Sequence, residues 1–458
     1  MHFWDYSVWG TILLFSVLLG SLLVGNVLKK GLPFLRDSLV PTSVIGGCVL
    51  IIVAAIYKWC TGDVMFDTAA FNGIGTETLE VVTYHTLALG FIASALKTSS
   101  SKLDKKRSSE VFNSGVTTVA TYLLQGIFGL GVCLIAARFF IEGFRPEAGV
   151  LLPFGYGQGT GQAMNWGQIY EEGGLIGGKS FGLTIAALGF LSASIGGVIH
   201  LNIMKRRGTL VIRGNKDKLN AESIESANEI PMQESCDKMT IQIALIFLAY
   251  IIAYFIMLGL GILLPGMKAT VYGFNFLLGV LSATLIKVVI KGFKKAGIVK
   301  KDYTNNFLLT RASNFFFDIM VVAGIAAIRL DILENYWGVL AILGVLGLVV
   351  TYVYNRFVAK KLFVDYVEEQ FLAMYGMLTG TASTGVILLR EIDGEFQTPA
   401  ADNLVYQNFP AIAFGFPMML LASLAQTQPV LTLIIFVLFF LALNIILFRS
   451  FIFRRKRK

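Results

Sequence analysis

Residues 147–170 read EAGVLLPFGYGQGTGQAMNWGQIY, apolar enough to enter a bilayer but broken in the middle by glycines and polar side chains. Residues 370–389, QFLAMYGMLTGTASTGVILL, have the same character. Their centres align: Tyr156-Gly157-Gln158-Gly159-Thr160-Gly161-Gln162-Ala163 against Tyr375-Gly376-Met377-Leu378-Thr379-Gly380-Thr381-Ala382. The shared pattern is Y-G-x-x-T-G-x-A, at an offset of 219 residues. How these two stretches sit relative to lipid decides the fold.

Around them the chain is built for a membrane. Of 458 residues, 55% are hydrophobic and 15% charged, and the mean hydropathy is +0.70. Soluble domains carry about 25% charge. A spanning helix needs about 20 mostly apolar residues. Eleven segments qualify, at 8–28, 39–59, 79–97, 113–137, 181–204, 240–264, 269–290, 307–329, 336–357, 404–426 and 430–451. The start, MHFWDYSVWG, lacks the positive region of a signal peptide, so the first helix is expected to remain in the mature protein. Cys48, Cys60, Cys133 and Cys236 are scattered, as are His2, His85 and His200, which argues against a protein-built zinc site.

The net charge of +9 lies in short runs beside apolar segments, which excludes a nucleic-acid reading. The runs are KKGLPFLRD (29–37), KTSSSKLDKKR (97–107), KRRGTLVIRGNKDK (205–218), KGFKKAGIVKK (291–301), RFVAKK (356–361) and RSFIFRRKRK (449–458). Each follows an odd-numbered segment, and the loops on the other side carry mainly Asp and Glu. Positive-inside logic then puts the N terminus outside and the C terminus in the cytoplasm. A full crossing by either interrupted stretch would invert every later loop. Each is therefore predicted to be a re-entrant hairpin, its broken backbone buried in protein or lining a wet cavity.

The halves also share Gly90-Phe91-Ile92-Ala93 with Gly324-Ile325-Ala326-Ala327, and Pro41-Thr42-Ser43 with Pro265-Gly266-Met267. The predicted fold is an all-α polytopic membrane protein of two inverted-topology repeats, each five transmembrane helices plus a re-entrant hairpin. The first repeat covers 1–204 and the second 239–427. A cytoplasmic linker spans 205–238, and an extra helix with a basic tail fills 428–458.

Hairpins inserted from opposite faces bring their tips together near the midplane. Broken helix ends there offer N–H groups to a carboxylate and carbonyls to Na⁺. The predicted contacts are Gly157, Gln158, Gly159, Thr160, Gly161 and Gln162 from the first tip. The second tip supplies Thr379, Gly380, Thr381, Ser383 and Thr384. The plain alternative is that these glycines only let the hairpins turn.

Asp318 lies inside the eighth segment, where a carboxylate is costly unless paired, hydrated or metal-bound. Either it couples Na⁺ or a proton, with Asn314 beside it, or it makes a structural pair. Arg311 shares their face and reads as a snorkelling arginine or an anion contact. Lys287 reads as snorkelling and His85 as a satisfied polar group. Trp166, Tyr336 and Trp337 suit interfacial belts.

At Leu39-Val40-Pro41-Thr42-Ser43-Val44-Ile45-Gly46-Gly47, Leu89-Gly90-Phe91-Ile92-Ala93-Ser94 and Gly157-Gln158-Gly159-Thr160-Gly161-Gln162-Ala163 the chain resembles the bacterial glutamate:sodium symporters. The resemblance implies a homodimer in the bacterial inner membrane, an elevator-type cycle and coupling to Na⁺. It carries solute or ion contact onto Gly157, Gly159, Thr160, Gly161 and the second tip, Thr379 to Thr384. The final helix exceeds the family's ten.

The expected function is Na⁺-coupled symport of glutamate or a related small carboxylate or amino acid into the cell, without a cofactor. A proton-coupled or other organic-anion transporter of the same fold is the alternative. No G-x-x-x-x-G-K-[S/T] loop suggests ATP drive. A channel would also use two re-entrant loops. An intramembrane enzyme would need a nucleophile–base pair that the sequence does not display.

Overall fold

The computed structural model describes residues 2–37, 40–97, 105–211, 229, 236–265, 268–298, 301–394 and 397–452. Most of the expected linker, 212–228 and 230–235, lies outside the described residues. The chain is an all-α, multi-pass membrane protein. Among the described residues, ten helices are long and apolar enough to cross a bilayer.

The first four are α1 (Tyr6–Gly31), α2 (Thr42–Thr61), α3 (Gly75–Leu96) and α4 (Lys105–Phe139). The first interrupted stretch follows. It comprises a 3₁₀ turn (Pro146–Val150), a π turn (Pro153–Gly157) and α5 (Thr160–Glu172). Then come α6 (Gly178–Arg207), α7 (Lys238–Leu263), α8 (Asn275–Lys295), α9 (Asn306–Ala326) and α10 (Trp337–Leu362). The second interrupted stretch is α11 (Val367–Thr379) and α12 (Ala382–Arg390). The chain closes with α13 (Ala400–Tyr406), α14 (Asn408–Leu424) and α15 (Pro429–Leu447).

Two expected spans are broken. The segment expected at 404–426 divides into α13 and α14, because Pro410 lacks the N–H that would reach the Tyr406 carbonyl. Pro417 repeats the defect inside α14. The segment expected at 269–290 divides at Phe274 into a short helix, Lys268–Gly273, and α8. Side chains take up the freed carbonyls: Tyr84 Oη donates to Tyr272 O (2.8 Å) and Asn165 Nδ2 to Gly273 O (3.3 Å).

The packing separates two groups. In one, α2 and α3 both lie on α9, α8 lies on α3, α1 on α2 and α7 on α8. In the other, α4 carries α10, α14, α15 and the 3₁₀ arm of the first interrupted stretch, while α6 packs on α5, α10 and α11. The groups meet mainly where α5 touches α3 and α9. The last helix is tied to the second group: Tyr354 Oη on α10 donates to Asn444 Oδ1 on α15 (3.0 Å).

Side chains correct two expectations, for Trp166 and Lys287, and agree with a third, for His85. Trp166 is not in an interfacial belt; it is 1% exposed and stacked on Phe154 at 4.8 Å, inside the first interrupted stretch. Lys287 donates to the Ala95 and Lys97 carbonyls (3.0 and 2.7 Å), closing the end of α3. His85 is paired, its Nδ1 2.6 Å from Tyr250 Oη.

Candidate functional site

Both interruptions come from local chemistry. Pro153 cannot continue a regular helix, and the chain passes through the π turn to Gly159, at φ +82°. That conformation favours glycine. Thr160 then starts α5. In the second stretch α11 stops at Thr379, and Gly380 has no room for a side chain. A β-carbon on it would stand 2.9 Å from Thr384 Oγ1 and 3.0 Å from Phe190. Thr381 is extended and precedes α12, its Oγ1 3.4 Å from Thr384 Oγ1.

The structure brings these two tips into contact. A β-carbon on Gly159 would lie 3.0 Å from Thr381 Cγ2 and 3.4 Å from the Gly380 carbonyl oxygen. Thr160, fully buried, donates to the Met320 carbonyl of α9 (3.4 Å). Gly324 makes room for it, since a β-carbon there would be 2.9 Å from Thr160 Cβ. Gly161 makes room for Leu87 of α3 in the same way, since a β-carbon there would be 2.7 Å from Leu87 Cδ1. Gly157 packs on Tyr122, whose hydroxyl donates to the Gly157 carbonyl (3.1 Å). Gln158 is half-buried at the tip. The Thr379 hydroxyl is committed to the Tyr375 carbonyl (2.6 Å), and Thr384 is buried. The Ser383 side chain lies outside the described residues.

Two buried amides border the junction. Gln162 is 1% exposed, and neither of its amide atoms has a partner among the described residues. Gln125 of α4, absent from the expected set, is fully buried. Its Nε2 donates to Leu378 O on the second tip (2.9 Å) and to Thr351 Oγ1 (2.8 Å). Its Oε1 is unpaired among the described residues and stands 3.3 Å from where a Gly157 β-carbon would be. One side chain therefore addresses both tips. A carboxamide in the middle of the mostly apolar run 113–137 was the sequence signal for it.

Arg311, Asn314 and Asp318 are not brought to the tips. All three lie on one exposed face of α9. Asp318 is beside Ser43 of α2. It precedes Met320 by two residues, so it leaves the helix about 200° away from the side chain near the tips. Arg311 is nine residues from Met320, about 13 Å along the axis, and covers the Phe307 ring at 5.1 Å. Among the described residues no group of three His, Cys, Asp or Glu could hold a metal ion.

A cavity of about 800 Å³ opens between the two helix groups, at the end where α3 and α6 begin. Its mouth holds Asp67, Glu77, Glu80 and Glu172 against Lys179 and Arg329. Lys179 pairs with Glu80 (2.7 Å) and Arg329 with Asp67 (3.8 Å). The lining continues to Tyr84, His85, Met164 and Asn165. Met164 is one turn of α5 from Thr160, about 6 Å.

No family model matches this chain, and no curated protein matches it significantly.

Proposed function

We propose that the chain is a secondary active transporter that carries glutamate, or a related small carboxylate or amino acid, into the cell with Na⁺. On this reading it is a member of the glutamate:sodium symporter family, a homodimer in the bacterial cytoplasmic membrane, with its N terminus outside. The observation that carries the proposal is the contact of Gly159 with Thr381: two interrupted segments, one from each half, end against each other. Broken backbone inside a bilayer protein is tolerated where it is buried or lines an aqueous path, and such paired ends are how many transporters build a site.

The helix packing supports inverted repeats. The second helix of the first half lies on the third of the second half, α2 on α9, and reciprocally α8 lies on α3. The division into two groups fits an elevator, in which α4, α6, α10, α13, α14, α15 and both hairpins slide past α1, α2, α3, α7, α8 and α9. The acidic-mouthed cavity then gives access from outside to within one turn of Thr160. The close contact at the tips favours alternating access over an open channel. The Na⁺ roles of Asn314 and Asp318 and the anion role of Arg311 belong to this proposal, on a face of α9 away from the junction.

The test is uptake into proteoliposomes, with L-glutamate and a panel of amino and organic acids, under an inward Na⁺ gradient, a pH gradient or neither. Accumulation of one solute that requires the Na⁺ gradient is expected. Accumulation driven by the pH gradient alone would move the reading to proton coupling. No accumulation under any gradient would overturn it.

A further inference from the structure

At the opposite end of the bundle, where α6 and α10 end in basic residues, lies a second cavity of about 290 Å³. His200 and Arg207 reach it from α6, Tyr352, Arg356 and Lys360 from α10, and Glu368 from the first turn of α11. Three separate elements thus converge on one small space.

The charges inside do not cancel. Glu368 is fully engaged: Arg356 donates to both of its oxygens (2.7 and 2.6 Å) and His200 Nε2 lies 2.8 Å away. Burial alone would raise this carboxyl's pKa, but the bonds and charges of His200 and Arg356 hold it down to about 2. It therefore stays ionised and neutralises Arg356. The other nitrogen of His200 is 2.8 Å from Tyr352 Oη, so the imidazole is fixed from both sides. Arg207 and Lys360 remain, with no ion pair among the described residues.

Basic residues at helix C-termini ordinarily offset the helix dipole and need no ligand. Here, however, two of them border one concave space in which Glu368, the one carboxylate among the described lining residues, is already engaged. Two uncompensated positive charges favour an oxyanion that can accept from both. Guanidinium offers paired donors to tetrahedral oxyanions, and ammonium supplies a point charge. The volume is at the small end of ligand sites, of which typical ones span about 300–1,000 Å³.

We propose that this cavity binds a phosphate-type oxyanion through Arg207 and Lys360, over a fixed floor formed by Arg356, Glu368 and His200. A lipid headgroup at the membrane surface and free phosphate share this chemistry. The site is independent of the transport reading, and its test needs no transport assay.

Binding is measured on the purified full-length protein by the shift of its melting temperature. Inorganic phosphate is titrated against chloride at equal ionic strength. Separately, the protein is placed in nanodiscs of phosphatidylcholine with or without phosphatidylglycerol. The wild type should be stabilised by at least one probe. The variant Arg207→Gln/Lys360→Gln should lose about tenfold or more in affinity, whereas Lys291→Gln/Lys295→Gln, elsewhere among the basic ends, should lose none. A response to phosphate only assigns a soluble anion, and a response to phosphatidylglycerol only assigns a headgroup. No response to either probe, or equal losses in the two double variants, overturns the site.

Discussion

Gly159 and Thr381 stand face to face, 222 positions apart in the chain, close enough that a single added carbon on the glycine would be 3.0 Å from the threonine methyl. The first prediction follows from this. Gly159→Ala both strains a backbone at φ +82° and wedges the tips apart, at a cost of about 1–3 kcal/mol. Solute uptake should fall about tenfold or more while the purified protein still elutes as wild type. Thr381→Ser removes only the methyl and should retain uptake. Wild-type uptake in Gly159→Ala would show that the contact is incidental.

Gln125 holds the second tip by its amide and offers the first an oxygen that has no partner among the described residues. Gln125→Leu keeps the bulk but loses the donor to Leu378 and the acceptor near Gly157, and should weaken Na⁺ or solute affinity about tenfold. A lost buried hydrogen bond costs about 1–3 kcal/mol, so the melting temperature should drop only modestly. Titrating uptake against Na⁺ and against solute separates the two affinities. If neither changes, Gln125 is a structural brace only.

For Asp318, the expected readout is ionic. Asp318→Asn should raise the Na⁺ concentration for half-maximal uptake about tenfold or more, with a smaller effect on the solute. A carboxylate on an exposed face of an apolar helix needs water, a cation or a partner. A variant with unaltered Na⁺ dependence assigns it to packing against Ser43.

Acid sensitivity should trace to Glu368. Its pKa is about 2 in the folded chain, below the ordinary 4.5, so folding favours the ionised form. The resulting stabilisation, up to about 3 kcal/mol, is complete above pH 4.5 and is lost as pH falls from there toward 2. Melting temperatures across that window should decline more steeply for wild type than for Glu368→Gln, which starts lower. Parallel curves would mean that the ion pair with Arg356 contributes nothing.

The spanning helices were legible because a run of about 20 apolar residues has few other uses. The interrupted stretches were legible for the opposite reason, glycine and threonine where lipid tolerates neither broken backbone nor loose polarity. What escaped was everything set by contacts between distant segments. Trp166 looked interfacial by residue type, yet the first interrupted stretch folds around it and stacks it on Phe154. The split of the tenth segment was signalled by Pro410, but hydropathy averages over a proline. Arg311, Asn314 and Asp318 share a face by spacing, as read. Spacing could not reveal that this face points away from Met320 and the tips. Gln125 was hidden because its importance lies in Leu378 and Gly157, residues from two other elements.

The most direct test of a site shared by both tips is the reactivity of Thr381→Cys, with Cys48, Cys60, Cys133 and Cys236 replaced by serine. A membrane-impermeant thiol reagent is applied to one side of oriented vesicles at a time, with and without Na⁺ and the transported solute. Modification from either side, slowed by Na⁺ and solute together, is the expected result. Modification confined to one side under every condition, or indifferent to both ligands, contradicts it.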